Sequence, residues 1–269
     1  REGERYFFSV IRKAKNGTFW VASFNGVHTF DVNSGAYGET LELEGEFQRV
    51  NAIYEDSRGR IWFGTRPANI YIHDPASGQT RKIELPEEYR SEIPPNQQLF
   101  RFAFSELKDG RMLIGASLHG LYYLNPEDES IEPVDPALNE MIRQQRAVIT
   151  DVVLDEHDRM WVGTFGAGLL RLSPDGEFVH GYNSSNAEMY GFDSDHLVDL
   201  EIDNTGTLWV GTVDRGVKQV RFDDFERLTY APAETLTLSD KVAGSVYEDS
   251  DGFLWVGHFH SLDRVDLEN

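Results

Sequence analysis

Residues 157–164 read His157-Asp158-Arg159-Met160-Trp161-Val162-Gly163-Thr164, and versions of this segment occur six times along the 269-residue chain. The tryptophan position, which holds leucine in the third copy, falls at residues 20, 62, 113, 161, 209 and 255. Subtraction gives spacings of 42, 51, 48, 48 and 46 residues. A repeat of this length is typical of one β-propeller blade and is too long for a leucine-rich repeat.

Each copy also contains a pattern of four strands. In the second copy an apolar strand at 50–54 leads into a turn at 55–59 and then into the tryptophan strand. In the fourth copy a third strand at 168–172 precedes a polar turn at 173–176 and a more exposed fourth strand. Asp, Asn and Gly before the tryptophan strand favour a hairpin turn, because such turns need a residue that tolerates positive φ.

The tryptophan strand is apolar on both faces, which is typical of a sheet packed between two others. The glycine two residues after the tryptophan leaves room for a neighbouring blade. We therefore predict an all-β fold, a β-propeller of about six four-stranded blades, forming one domain over residues 1–269. The predicted repeat units are 6–43, 47–85, 98–133, 146–182, 196–230 and 242–269. The last copy ends after its third strand, so a fourth strand is expected either from the N-terminus or from outside this segment.

Charge and composition exclude several classes of function. The chain has 46 acidic and 25 basic residues, a net charge of -21, which disfavours binding to nucleic acids and anionic membranes. It has no cysteine, which excludes disulfides and thiolate metal sites. No apolar run approaches the ~18 residues of a membrane span, so we predict no membrane contact by this segment.

The pattern D-x-x-G-x-[IL]-W-[VI]-G-T followed by G-[GL]-L-x-R-[LY] resembles the two-component regulator propeller repeat. This repeat is found in periplasmic sensor portions of hybrid histidine kinases and some diguanylate cyclases. The resemblance covers residues 7–267 and is strongest at 161–172, whereas Leu113 and the segment Arg66-Pro67-Ala68-Asn69 depart from it. It implies a non-catalytic sensory or ligand-binding module, periplasmic or extracellular and part of a larger sensor. Kinase or cyclase activity would lie outside the segment, and the partners would be a neighbouring sensor domain and, in the intact protein, a second copy.

Loops predict where a ligand would bind. In propellers the loops between strands two and three open on the same face as the loops that link blades, and two of the linking loops, 89–100 and 183–196, are long. Aromatic side chains combined with arginine donors suit a small molecule, in particular a saccharide. The predicted ligand-binding residues are Phe24, Arg66, Arg101, His119, Phe165, Arg215, His258 and His260. The alternative for each is a side chain that is solvated or paired with a neighbouring carboxylate.

Metal and cofactor motifs are weak. The segment 248–252 resembles a calcium loop but lacks the alternating ligands of an EF-hand, so it is interpreted as a hairpin turn. His258 and His260 could begin a metal site, but no third ligand is evident. We predict no metal, no cofactor and no catalytic residue.

Two other functions remain open. A propeller enzyme could be a glycosidase, with Asp214, Asp240 or Glu92 as candidate carboxylates, or a lyase, with a metal and His119 or His258 as base. A protein-docking scaffold is the third alternative, because the fold does not choose among these functions.

Overall fold

The computed structural model describes residues 8–23, 26–41, 43, 49–66, 68–86, 101–117, 119–222, 228–231 and 238–267. It confirms the fold class, an all-β propeller of six antiparallel blades. Five blades have four strands, and the sixth has three among the described residues. The question of an N-terminal closing strand falls on residues 1–7, which lie outside these ranges.

The strands follow the order of the predicted repeats, and in each sheet neighbours along the chain are neighbours in the sheet. The strands of the first three blades are β1 (Phe8–Lys13), β2 (Phe19–Ser23), β3 (Gly26–Asp31), β4 (Ala36–Leu41), β5 (Arg49–Glu55), β6 (Ile61–Arg66), β7 (Asn69–Asp74), β8 (Gln79–Ile83), β9 (Phe102–Glu106), β10 (Met112–Ala116), β11 (Gly120–Leu124) and β12 (Ile131–Pro133). The strands of the last three blades are β13 (Val148–Leu154), β14 (Met160–Phe165), β15 (Leu169–Leu172), β16 (Phe178–Tyr182), β17 (Leu197–Ile202), β18 (Leu208–Thr212), β19 (Val217–Phe222), β20 (Leu228–Ala231), β21 (Ser245–Glu248), β22 (Phe253–Gly257) and β23 (Leu262–Asp266).

The chain forms two compact units. The first comprises Arg1–Ala116 with Tyr123–Glu132, and the second comprises Ser117–Tyr122 with Pro133–Asn269. Each has its own apolar core, built around Trp20 and Phe63 in the first unit and around Trp161 and Phe192 in the second.

Glycine in the tryptophan strand allows adjacent blades to approach closely, as the sequence predicts. A Cβ placed on Gly64 would lie 2.6 Å from Cδ2 of Phe102, which belongs to the next blade. A Cβ on Gly163 would lie 3.2 Å from Cγ of Leu200, again in the following blade. A larger side chain here would push two sheets apart, because interiors are packed without spare volume.

Hairpin turns before the tryptophan strand contain the expected positive φ. Gly59 has a φ of 80°, and in the fourth copy Asp158 occupies the same position with a φ of 60°. An aspartate at the start of four of these turns also has a second role, since it accepts a hydrogen bond from the indole of the tryptophan six residues later. The pairs are Asp56–Trp62 (2.9 Å), Asp155–Trp161 (2.9 Å), Asp203–Trp209 (2.7 Å) and Asp249–Trp255 (2.6 Å).

Glutamates join consecutive blades at the same turns. Glu106 at the end of β9 accepts the backbone N–H of Ser57 at 2.6 Å and its hydroxyl at 2.7 Å. In the second unit Glu248 likewise accepts the N–H of Asn204 at 2.7 Å. Each of these turns is therefore completed by a side chain from the blade that follows it.

Short helical segments in two of the connections between blades add to the predicted strands. The connection between β12 and β13 contains α1 (Pro136–Gln145), whose N-cap Asp135 accepts the backbone N–H groups of Ala137 and Leu138. Asn139 on α1 is buried, accepts the N–H of Leu121 at 2.7 Å and donates to its carbonyl at 3.1 Å. The amide side chain thereby takes the place of a strand partner at the start of β11. A 3₁₀ turn (Ser184–Asn186) and α2 (Ala187–Tyr190) lie between β16 and β17.

Candidate functional site

The eight predicted ligand-binding residues fall into separate parts of the structure. Phe24 lies outside the described residues. Arg66 ends β6 and Arg101 precedes β9, both half-buried and both in the first unit. The remaining five belong to the second unit: His119, Phe165, Arg215, His258 and His260. Whether any of them binds a ligand stays a prediction, and the geometry is clearest around Arg215.

Four charged side chains meet in the second unit and form what we call the Arg215 cluster: Asp193, Asp214, Arg215 and Lys218. Nζ of Lys218 lies 2.7 Å from Oδ1 of Asp193, and its side chain is only 3% exposed. Nε of Arg215 lies 3.8 Å from Oδ2 of Asp193 and 3.7 Å from Oδ2 of Asp214. The formal charges of the cluster sum to zero, although the chain as a whole is strongly acidic.

The charge pattern of the cluster fixes the ionisation of Asp193. Burial acts to raise the pKa of this carboxyl, but the hydrogen bond from Lys218 and the positive charges of Lys218 and Arg215 outweigh it. The pKa of Asp193 is therefore below its ordinary value. Asp193 is consequently a carboxylate at neutral pH, with no tendency to act as an acid.

The linking loop before β17 places Asp193 by docking on the loop of the preceding blade. The carbonyl of Asp195 accepts the N–H of Gly166 at 2.7 Å, and its carboxylate accepts the N–H and hydroxyl of Ser184 at 2.8 and 2.6 Å. The rings of Phe165 and His196 lie 4.4 Å apart. The loop is predicted from its length to be functional. These hydrogen bonds and the ring contact fix its position against the preceding blade.

Threonine and serine hold the other side of the cluster. The hydroxyl of Thr212 donates to the carbonyl of Gly216 at 2.7 Å and accepts the N–H of Arg215 at 2.9 Å, which closes the loop between β18 and β19. The buried hydroxyl of Ser194 donates to Oδ1 of Asp214 at 2.8 Å. The backbone on both sides of Arg215 is thus fixed, while its side chain remains 54% exposed.

The predicted histidines lie in different surroundings. The side chain of His258 is fully buried, with Nδ1 2.6 Å from the carbonyl of Val242 and Nε2 3.0 Å from Oδ2 of Asp263. His119 is 5% exposed, and its carbonyl accepts the hydroxyl of Tyr122 at 2.9 Å. His260 is exposed. Both ring nitrogens of His258 are engaged within the fold, so we leave it out of the ligand site proposed below.

Acidic and histidine side chains do not gather into a metal site in the part of the chain that the structure describes. Within the described ranges, no group of three or more such side chains has the proximity that a metal ion requires. Sequence reasoning also missed Asp193 and Lys218, because their pairing joins a linking loop to a strand of the next blade and no local pattern indicates it.

The repeated blades and their tryptophan anchors define the chain as a repeat-built β-propeller. More specifically, residues 45–66 and 237–260 match the family described as two component regulator propeller, which confirms the resemblance read from the sequence. No curated protein matches the sequence significantly.

Solved structures share the fold at low sequence identity. Virginiamycin B lyase from Staphylococcus aureus matches with a TM-score of 0.69 and 12% identity, over 97% of this chain and 85% of the lyase. The extracellular domain of a hybrid two-component system from B. thetaiotaomicron matches with a TM-score of 0.61 and 16% identity, over 98% of this chain and 38% of that domain. A chain of the mitotic checkpoint complex matches with a TM-score of 0.71 and 13% identity, over 98% of this chain and 76% of that one. Identities this low show the fold alone.

Proposed function

We propose that the chain is a non-catalytic sensory propeller that binds a small molecule as the input part of a two-component signalling protein. The observation that carries this proposal is the match of two repeats to the two-component regulator propeller family. The fold similarity to an extracellular two-component domain supports it, with this chain spanning 38% of that domain's length. A larger sensor, with a neighbouring domain or a second copy as partner, is part of the same proposal.

Location outside the cytoplasm follows from the proposed role. The B. thetaiotaomicron domain is extracellular, and we place this chain in the periplasm or outside the cell by analogy. No helix among the described ranges is long and apolar enough to cross a membrane.

The Arg215 cluster is the proposed binding surface, and its chemistry favours an uncharged saccharide. Arg215 offers guanidinium donors, and the half-exposed Asp214 offers carboxylate acceptors, which together suit neighbouring hydroxyl groups. Phe165 supplies an apolar ring at the adjoining loop. Because each cation already faces a carboxylate, an acidic sugar would gain little electrostatic attraction here.

A propeller lyase is the second candidate, since a lyase shares the fold. The two histidines considered as its base are poorly placed for this role. Both nitrogens of His258 are bonded within the protein, and His119 is buried. The non-catalytic proposal accounts better for this arrangement.

A glycosidase needs two carboxyl groups near one pocket, one of them protonated. Asp193 and Asp214 do converge, because an oxygen of each lies within 4 Å of Nε of Arg215. A general acid, however, needs a raised pKa, and the pKa of Asp193 is lowered. Glu92 lies outside the described residues.

Calorimetric titration with a panel of neutral and acidic mono- and oligosaccharides tests the proposal. We expect a neutral saccharide to bind, and Arg215→Gln to weaken it roughly tenfold or more through loss of charged hydrogen bonds. Arg58→Gln is the matched control, because Arg58 is similarly exposed at 57% and lies on a hairpin turn of the first unit. Chromatography of the saccharide after each titration should show no product. Turnover would establish an enzyme, and failure of every saccharide to bind would refute a saccharide sensor.

A further inference from the structure

The first strand of the chain exposes an isoleucine at a position that is buried in the other five blades. Ile11 on β1 pairs with Val21, the residue that follows the tryptophan of its own blade, and its side chain is 59% exposed. The residues at the same register of the other blades are all 7% exposed or less, namely Ile53, Phe104, Val152, Leu200 and Val246. The first blade therefore leaves on its surface an apolar residue that its counterparts bury.

In the second unit this apolar position contacts the glycine of the preceding blade. A Cβ placed on Gly211 in the fifth blade would lie 3.0 Å from Cγ2 of Val246 in the sixth. The glycine of one blade thus makes room for the apolar residue of the next. Gly257 of the last blade differs, because the three atoms nearest to a Cβ placed there all belong to Ser245 of the same blade.

The tryptophan of the last blade is also more exposed than its counterparts. Four of the five tryptophans are buried and pack against residues of the following blade: Trp20, Trp62, Trp161 and Trp209. Trp255 is only half-buried, and the guanidinium of Arg264 from its own blade lies 5.9 Å from its ring centre. Tyr247, which pairs with Trp255 across the strands, is 51% exposed. Because side chains alternate along a strand, Tyr247, Trp255 and Gly257 share one face of the sheet. We call it the open face of the last blade, since no described blade follows it in the chain.

Charge distinguishes the first blade from three others at the same junction. In those three the first strand ends in a glutamate that accepts a backbone N–H of the preceding turn, namely Glu55, Glu106 and Glu248. β1 carries the exposed Lys13 at this register, on the same face as Ile11. The corresponding turn of the last blade is acidic, with Asp249 and the exposed Asp251. A lysine suits this turn, because its ammonium group attracts the two carboxylates that a glutamate would repel.

We infer that the open face of the last blade binds the first blade of a second copy of this chain, with Ile11 of the second copy packed on Gly257 and its Lys13 beside Asp251. Both halves of this contact are exposed in each copy, and association would bury the two apolar surfaces against each other. Different surfaces meet, so the contact is head to tail and can continue beyond two copies. The inference gives a surface to the second copy named in the proposed function. It does not depend on ligand binding, and the saccharide titrations test that separately.

Sedimentation equilibrium of the purified chain tests the inference. Physiological ionic strength is used because it screens the repulsion between copies that each carry a net charge of -21. The average mass should rise with concentration above that of one copy. A single-copy mass at every concentration up to about 1 mM would overturn the inference.

Two substitutions locate the contact on the two surfaces. Ile11→Asp places a charge in the apolar contact, and Tyr247→Ala removes an aromatic ring from the open face, so each should raise the dissociation constant roughly tenfold. Both side chains are exposed in the single copy, so both variants should keep the native near-ultraviolet circular dichroism. The matched controls are Val179→Asp and Met189→Ala, which alter exposed apolar residues on β16 and α2 of the same chain and should leave the association unchanged. Equal effects of the variants and their controls would refute the assigned surfaces.

Introduced cysteines show which first blade occupies the open face. The chain has no cysteine of its own, so Lys13→Cys and Asp251→Cys add thiols without any background. An equimolar mixture of the two single variants, one of them tagged, should form a disulfide-linked pair with one copy of each after oxidation with copper phenanthroline. The chain that carries both substitutions should form links between copies, giving dimers and larger species on a non-reducing gel. A disulfide formed only within one copy would show that the chain's own first blade binds there, and would overturn the inference.

Discussion

The indole nitrogen of Trp62 donates a hydrogen bond to Oδ2 of Asp56 at 2.9 Å, and both side chains are inaccessible to solvent. The same carboxylate accepts the backbone N–H groups of Arg58 and Arg60 and the Nε of Arg60 at 2.7 Å. One buried aspartate therefore satisfies four donors and ties a hairpin turn to the centre of its blade. In the third blade leucine replaces both members of the pair, at 107 and 113.

Removal of this carboxylate should be costly. We expect Asp56→Ala to lower the free energy of unfolding by about 3 kcal/mol, because it leaves a buried indole and a partly buried guanidinium without their acceptor. Asp109→Ala is the control, since Asp109 lies at a half-exposed turn of the blade that lacks the tryptophan. It should cost less than about 1 kcal/mol. Equal losses in urea unfolding would show that the aspartate acts only through the turn.

Close contact at Gly64 predicts a steric effect. A methyl group there would meet Cδ2 and Cβ of Phe102 at 2.6 and 2.7 Å, so Gly64→Ala should destabilise the first unit by about 1–3 kcal/mol. Gly181→Ala is the comparison, because its nearest contact is the end of the flexible Leu170 side chain at 3.3 Å. Thermal unfolding of both variants measures the difference. A Gly64→Ala protein as stable as the parent would mean that the blades can separate at little cost.

Pairing of Lys218 with Asp193 should appear as a coupling energy. Lys218→Met removes the cation from a buried position and should cost about 2 kcal/mol, moderated because Asp193 is 41% exposed. In a double-mutant cycle with Asp193→Asn we expect a coupling of about 1 kcal/mol. The exposed pair Arg58–Glu127 is the control cycle and should give less than about 0.5 kcal/mol. Equal couplings would indicate that burial adds nothing to the Asp193 pair.

The contact between helix α1 and strand β11 should depend on the side-chain amide of Asn139. Asn139→Ala leaves the N–H of Leu121 unsatisfied in a buried position, so a loss of about 2 kcal/mol is expected. Gln144→Ala removes an exposed side chain of the same helix and should change stability by less than about 0.5 kcal/mol. Urea unfolding together with exchange of the Leu121 amide tests both. If the Leu121 amide stays protected in Asn139→Ala, the Asn139 side chain does not act as the hydrogen-bond partner of β11.

Acid should destabilise the last blade through its carboxylates. The hydrogen bond from the Trp255 indole lowers the pKa of Asp249 against the effect of burial, with help from backbone N–H groups. The folded-state pKa lies below the ordinary 3.8, so this stabilisation is complete above about pH 4 and is lost as pH falls through the lower folded value. Urea midpoints followed by tryptophan fluorescence should drop below pH 4, and less steeply in Asp249→Asn. A midpoint independent of pH in this range would refute the assignment.

Repeat spacing was sufficient to predict the six blades. The short pattern around Trp161 indicates a turn, a strand and the glycine at which the next blade packs. The sequence analysis interprets Asp56 only as a turn residue. An aspartate lies six residues before four of the five tryptophans, and this spacing indicates the aspartate–indole hydrogen bond. The segment Asp135-Pro136 also carries an N-cap followed by proline, which indicates the start of α1. These features were present in the sequence and were missed.

Side-chain environments were beyond reach of the same reasoning. His258 is predicted from its loop position to bind a ligand, and loop position alone does not indicate that its two ring nitrogens face Val242 and Asp263. Asp193 and Lys218 are 25 residues apart on different elements, so their ion pair depends on how the linking loop docks. Local periodicity determines which residues form strands, but it does not determine which loop covers which side chain.

A glutamate that completes the turn of the preceding blade is synthesised after that turn, so it determines when the turn can form all of its hydrogen bonds. Ser57 emerges from the ribosome 49 residues before Glu106, the residue that caps it. At a translation speed of roughly 5–20 residues per second, this turn waits about 2–10 s for its cap. A blade whose turn is capped in this way therefore cannot make all of its hydrogen bonds until the following repeat has been synthesised.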